Sequence, residues 1–199
     1  MRYLLFIPLL LNCYTAPNIK HDPNSLDQTI HRAEMIVGHT PPPESILLIG
    51  DSEVMFSHFY FDEANVKQSN ETVFFDSKPG TTILTWNNIF VSEMKRFPVV
   101  DTVIIYLGTN NQNFSWLQPH QNILNEIKRR NLKCIWVGNT KVYNRHHMIN
   151  DLVHQAVEPT CTYFDTEKAD IELADQVHPT KAGAIKWLKM IWALKEKIK

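Results

Sequence analysis

Apolar residues in this chain fall into short unbroken runs, and segments of helical periodicity stand between them. The runs are SILLIG (45–50), TVFFD (72–76), DTVIIYLG (101–108), LKCIWVG (132–138) and TYFDT (162–166). Each is short enough for a strand, and several are bounded by Gly, Pro or Asp. The segment TTILTWNNIFVSEMKRF (81–97) has helical length, with Thr81 or Thr82 placed to cap it. HQNILNEIKRRN (120–131) puts Ile123, Leu124 and Ile127 on one face and Lys128, Arg129 and Arg130 in the last turn. Residues 144–158 read as a further helix, and residues 53–61 as a short helix or turn. Thr180 to Lys199 reads as one long amphipathic helix. Ala184, Trp187, Leu188, Ile191 and Ile198 keep helical spacing there, with Lys181, Lys186, Lys189 and Lys197 toward water.

Strands alternating with helices predict βαβ units and a parallel sheet. The runs ILLI and VIIYL lack polar alternation, as expected of strands covered on both faces. The predicted fold class is therefore α/β, a three-layer αβα sandwich with five parallel strands. In such sheets ligands bind outside the carboxyl ends of the strands, where the strand order switches.

The first 44 residues differ from the rest. Arg2 precedes an apolar run from Tyr3 to Leu11, too short to cross a bilayer, which needs about 20 residues. Residues 1–16 read as a signal peptide or lipoprotein signal, 17–44 as an N-terminal extension with one helix over 26–37, and 45–199 as the folded domain. Export to a periplasmic or extracellular location follows from that reading, and a cytoplasmic location follows if the segment is not a signal. Cys13, after Leu10-Leu11-Asn12, is a weak lipobox candidate and the one expected route to a membrane.

A chain of 199 residues can bury a full core, and a net charge of -1 offers no footprint for nucleic acid. Cys134 and Cys161 each open a strand run. Neighbouring strands would permit a disulfide, but two buried free thiols are favoured. Neither has zinc-ligand spacing, so no metal is expected.

The chemistry gathers at the strand ends. Ser52 follows the first strand, Gly80 the second, Asn110 the third, and Asp175 and His178 lie between the fifth strand and the last helix. A serine hydroxyl needs a base to become a nucleophile, and His178 can serve, with Asp175 orienting its ring. A tetrahedral intermediate needs preorganised donors, and the Ser52 and Gly80 N–H groups and the Asn110 amide can supply them. Asp51 reads as a helix N-terminal acid or a brace for the loop. Phe114 and Trp116 are candidate walls of the substrate site. His146 and His147 are expected to be solvated. His58 is read as surface or packing, and the stretch Phe56 to Phe61 as core.

Four blocks, in order, resemble the SGNH hydrolase family, also called GDSL esterases. They are Gly50-Asp51-Ser52, Gly80, Gly108-Thr109-Asn110 with Asn111 where the family has Asp, and Asp175-Gln176-Val177-His178. The resemblance spans residues 45–199 and implies a flavodoxin-like sheet of order 2-1-3-4-5. It implies a triad of Ser52, His178 and Asp175, and an oxyanion hole of Ser52, Gly80 and Asn110. Val54 stands where G-x-S-x-G needs its second glycine, which disfavours the other common esterase fold.

The expected activity is hydrolysis of a short acyl ester, acetyl foremost, on a small ester or acylated carbohydrate, with no cofactor. The alternatives are a lysophospholipase or thioesterase, an O-acyltransferase with the same triad, and a noncatalytic binding module on the same fold.

Overall fold

The computed structural model describes residues 43–111, 120–140 and 144–198. The chain divides into two units, Met1–Thr40 and Pro41–Lys199. The first lies outside the described residues, as do the readings placed on Cys13, on helix 26–37, and on Phe114 and Trp116.

The second unit is built on β1 (Glu44–Gly50), β2 (Glu71–Ser77), β3 (Thr102–Tyr106), β4 (Lys133–Val137) and β5 (Thr162–Phe164). All pair in parallel, in the order β2-β1-β3-β4-β5. The helices are α1 (Ser52–Phe59), α2 (Phe61–Ala64), α3 (Ile83–Glu93), α4 (Gln121–Arg130), α5 (Asn144–Val157) and α6 (Lys181–Lys195), with 3₁₀ turns at Met94–Arg96 and Thr166–Ala169.

Side chains alternate across each strand, so each run feeds two cores. Leu47, Ile49, Val103, Ile105, Cys134 and Trp136 pack against α3, α4 and α5. Ile46, Leu48, Ile104, Tyr106, Ile135 and Val137 pack on the other face against α1, α2 and α6. This is why the central strands carry no polar alternation. Ile46 to Ile49 and Val103 to Tyr106 are all fully buried.

Register decides where the loops emerge. Gly50 pairs with Ser77 and with Tyr106, Tyr106 with Val137, and Val137 with Phe164. The five strands therefore end at one level, and the residues that follow them share one edge.

At the opposite edge Glu44 and Glu71 face each other in register. The buried Lys195 ammonium from α6 lies between them, bonded to Glu71 and 3.0 Å from Glu44 Oε2. Glu71 also accepts from the Trp192 indole at 3.1 Å. Burial works against the Lys195 charge, but hydrogen bonds to Glu196, Glu71 and Glu44 outweigh it and hold the ammonium charged.

Three expectations are corrected. The last helix ends at Lys195, and its C-terminal turn is capped at Glu196, short of Lys199. Cys134 and Cys161 form a disulfide, because β4 and β5 are neighbours and bring the two Cα atoms to 4.6 Å. The stretch Phe56 to Phe61 is not uniformly core: Phe61, which opens α2, is buried, but Phe59, at the end of α1, is 64% exposed.

Candidate active site

Gly50 ends β1 with φ +155, and a Cβ there would stand 2.1 Å from the Tyr106 carbonyl oxygen. Only glycine lets β1 approach β3 so closely as the chain turns out of the sheet. Asp51 then caps α1, its Oδ1 accepting from the Glu53 N–H at 3.0 Å. Ser52 is the first residue of α1, so its N–H is among those that a helix leaves without an intrahelical partner.

The Ser52 hydroxyl lies 3.0 Å from His178 Nε2, across 126 residues of sequence. His178 Nδ1 lies 2.7 Å from Asp175 Oδ2. With a proton on Nδ1 donated to Asp175, Nε2 is left to accept the serine proton. Asp175 Oδ1 also accepts from the backbone N–H groups of Val177 (3.1 Å) and His178 (2.7 Å). The His178 side chain and these backbone donors hold the Asp175 carboxyl down at about 2. The Phe56 ring stacks on the imidazole at 4.6 Å between centroids.

Gly80 occupies the third position of a turn closed by Thr81 N–H to Lys78 O at 3.2 Å. With Pro79 before it and φ +77, the turn has type II geometry, which glycine suits. Thr82 then caps α3, accepting from Thr85 N–H at 3.2 Å.

Asn110 joins this turn to Asp51, the neighbour of Ser52. Its amide Nδ2 donates to Thr81 O at 3.0 Å and to Asp51 Oδ2 at 3.3 Å. The second contact is longer than ordinary N–H···O bonds, and is the one to yield when another oxygen approaches. Asn111, at the family's aspartate position, is buried, and its Oδ1 accepts from Ile83 N–H at 3.1 Å. It thereby ties the loop after β3 to the first turn of α3.

Asp51 and Glu53, the two carboxyl groups flanking Ser52, are fully buried. Burial pushes the Asp51 carboxyl up to about 7, opposed by the Glu53 N–H, the His178 charge and Asn110. Burial, then the Asp51 charge, push Glu53 well above the usual carboxylate range. Asp51 caps α1 as a helix N-terminal acid should, but the burial of Asp51 and Glu53 leaves no mark in the sequence, because an acidic residue at a helix start normally faces water. Thr140, after β4, went unnoticed for a similar reason: a loop threonine gives no periodic signal. Its hydroxyl donates to Val177 O at 2.8 Å.

The structure thus brings together Ser52, His178 and Asp175, and sets Asn110 between the neighbours of Ser52 and Gly80. His58 is exposed and stacks on Phe75 at 4.2 Å between ring centroids. Among the described residues no group of three or more His, Cys, Asp or Glu could hold a metal ion, and no helix is long and apolar enough to cross a membrane.

No protein-family model and no curated protein matches the chain in sequence. Solved structures do match in fold. An acetyl xylan esterase, AlAXEase, superposes with TM-score 0.66 at 11% identity, over 75% of this chain and 98% of its own. The psychrotrophic esterase EstA from Pseudoalteromonas sp. gives 0.60 at 16% identity, over 78% of this chain and 100% of its own. The C-terminal catalytic domain of Streptococcus pneumoniae peptidoglycan O-acetyltransferase A gives 0.54 at 19% identity, over 79% and 96%. The chain has the three-layer α/β fold of these proteins, with a five-stranded parallel sheet of order 2-1-3-4-5.

Proposed function

We propose that the protein is a serine esterase of the SGNH hydrolase family that removes a short acyl group, acetyl foremost, through an acyl-enzyme on Ser52. The observation that carries this reading is the relay from Ser52 Oγ to His178 Nε2 at 3.0 Å and from His178 Nδ1 to Asp175 Oδ2 at 2.7 Å. The names of several fold neighbours, an acetyl xylan esterase and an acetyl esterase among them, support the acyl class.

In the first half-reaction His178 Nε2 takes the serine proton as Oγ bonds to the ester carbonyl carbon. The carbonyl oxygen becomes an oxyanion, received by the N–H groups of Ser52 and Gly80 and by Asn110 Nδ2. Collapse breaks the bond to the leaving oxygen, which receives the proton from His178. In the second half-reaction water attacks the acyl carbon, gives its proton to His178, and the carboxylic acid leaves as Oγ is reprotonated. Asp175 keeps the ring in the Nδ1–H tautomer and offsets the charge of the imidazolium.

The test is a series of p-nitrophenyl esters of increasing chain length, run beside acetylated sugars, with Ser52→Ala as control. Turnover that peaks at acetyl and is lost in Ser52→Ala is expected. A peak on long chains sinks the acetyl reading in favour of a lysophospholipase or thioesterase. A folded wild type with no turnover and no labelling by a fluorophosphonate sinks the esterase reading and leaves a binding module.

The O-acetyltransferase among the fold neighbours favours a second reading, transfer of the acyl group to an alcohol. The same relay performs it when the alcohol replaces water. Acylated alcohol formed faster than free acid, with a sugar acceptor present, would decide for it.

A further inference from the structure

The nucleophile is followed by Glu53, an acid on the inward side of α1. It is fully buried, and its Oε2 has no hydrogen-bond partner. Its Oε1 stands 3.4 Å from Thr140 Oγ1, and the Thr109 hydroxyl and the Thr140 backbone N–H also act on this carboxyl. Thr140 has a single hydroxyl proton. That proton is directed to Val177 O at 2.8 Å, and a carbonyl can only accept. The lone pairs of Thr140 therefore face Glu53, and a bonding contact there requires a proton on Glu53. Burial, with one oxygen unpartnered and the Asp51 charge nearby, favours the same neutral form against the Thr109 hydroxyl and the Thr140 N–H, which favour the charged one.

The direction of this chain matters for the site. Val177 directly precedes His178. The loop carrying them is exposed at Ala174, Asp175 and Gln176, and Gln176 has φ +68. Within the loop, Asp175 binds the N–H groups of Val177 and His178, and Ala174 N–H binds His178 O at 2.8 Å. Those bonds shape the loop but do not attach it to the nucleophile helix. Thr140, itself buried, provides an attachment from beneath.

We propose that Glu53 is a positioning residue for His178, acting as a neutral acid that donates to Thr140, which in turn donates to the Val177 carbonyl and sets the imidazole at bonding distance from Ser52. This rests on the reading of Ser52 as nucleophile and His178 as base. Asp51 and Glu53 then divide the work on either side of Ser52: Asp51 contacts the oxyanion donor Asn110, and Glu53 reaches toward the base.

The experiment compares Glu53→Gln, Glu53→Ala, Thr140→Val and Thr140→Ser with wild type on p-nitrophenyl acetate, with circular dichroism melts alongside. Gln keeps a neutral donor of the same length, so Glu53→Gln is expected to stay within about threefold of wild type. Glu53→Ala and Thr140→Val are expected to lose roughly 10- to 100-fold in kcat, because small misplacements of a reacting group are that costly. KM should hold, since neither residue faces substrate, and Thr140→Ser should restore the rate. A folded Glu53→Ala with wild-type kcat overturns the inference, as does Glu53→Gln no better than Ala. If Glu53→Ala fails to fold, the Val and Ser pair at 140 decides. Wild type without turnover or fluorophosphonate labelling overturns the esterase reading and this inference with it, whereas an active wild type with indifferent variants overturns this inference alone.

Discussion

Asp51→Asn separates the stability of the site from its chemistry. Asp51 is fully buried, and burial is the main cause that lifts its carboxyl from 3.8 to about 7. A rise of that size corresponds to about 4 kcal/mol of differential stability. The sign follows from proton binding. The folded state holds the proton more tightly than the unfolded chain, so this contribution is fully present below about pH 4 and is lost as pH rises to about 7. Asparagine carries no charge to desolvate. Its Oδ1 still accepts from Glu53 N–H, but its Nδ2 meets the Nδ2 of Asn110, donor against donor, where a 3.3 Å contact stood. That mismatch costs roughly 1–3 kcal/mol. The variant should therefore be less stable than wild type at pH 4, and more stable by about 1–3 kcal/mol at pH 8.5. Because Asn110 is pushed from its place, kcat/KM should fall roughly 10-fold or more. Urea unfolding across this pH range, followed by circular dichroism, measures the first effect, and ester turnover the second. A stability difference that does not change between pH 4 and pH 8.5 would refute the buried, raised carboxyl.

Three further outcomes test other parts of the molecule. Lys195→Met leaves Glu71 buried without its cation and should cost about 3–5 kcal/mol by urea unfolding, while replacing Glu71 and Lys195 together with apolar residues should recover most of the loss. Reducing the Cys134–Cys161 disulfide, which spans a sequence separation of 27, should lower stability by about 3–4 kcal/mol in the chain-entropy account, read as a shift in melting temperature with added reductant. Asn111→Ala removes the acceptor of Ile83 N–H and should destabilise by about 1–2 kcal/mol, with a loss of kcat from the loosened Asn110 loop.

The layers of the fold were legible because burial on both faces leaves a plain mark. A run such as ILLIG is apolar throughout when helices cover both sides of a strand. Helix ends were less so. Thr180 begins the last helix as a cap, its hydroxyl accepting from Gly183 N–H at 3.0 Å. The far end carries no such residue, and Ile198 prolonged the apparent period past Lys195, where the helix stops. The disulfide depended on which strands are neighbours, a fact of topology that the two separate runs could not supply. Lys195 was hidden by its own chemistry, since lysine on a helix normally faces water, and only the register of Glu44 against Glu71 creates a buried place for its charge.

The site divides along the same line. Ser52, Gly80, Asn110, Asp175 and His178 were legible as candidates because each follows a strand run or leads into the last helix, where groups suited to acyl transfer would meet. The supporting shell was not, because its residues act against their usual habits. Asn111 reads as a loop amide, yet it is buried and bonded to the start of α3. Asp51 reads as a helix N-terminal acid or a loop brace and does cap α1, yet α1 turns both it and Glu53, on which the sequence carried no reading, inward. That inward turn follows from Gly50, whose close approach to Tyr106 carries the chain into the helix over the sheet edge. The acids consequently face the loops after β3 and β4 instead of water. The glycine that permits Ser52 to stand at the edge of the sheet also buries the two acids beside it, so presenting the Ser52 hydroxyl and attaching it to its neighbours are consequences of one turn.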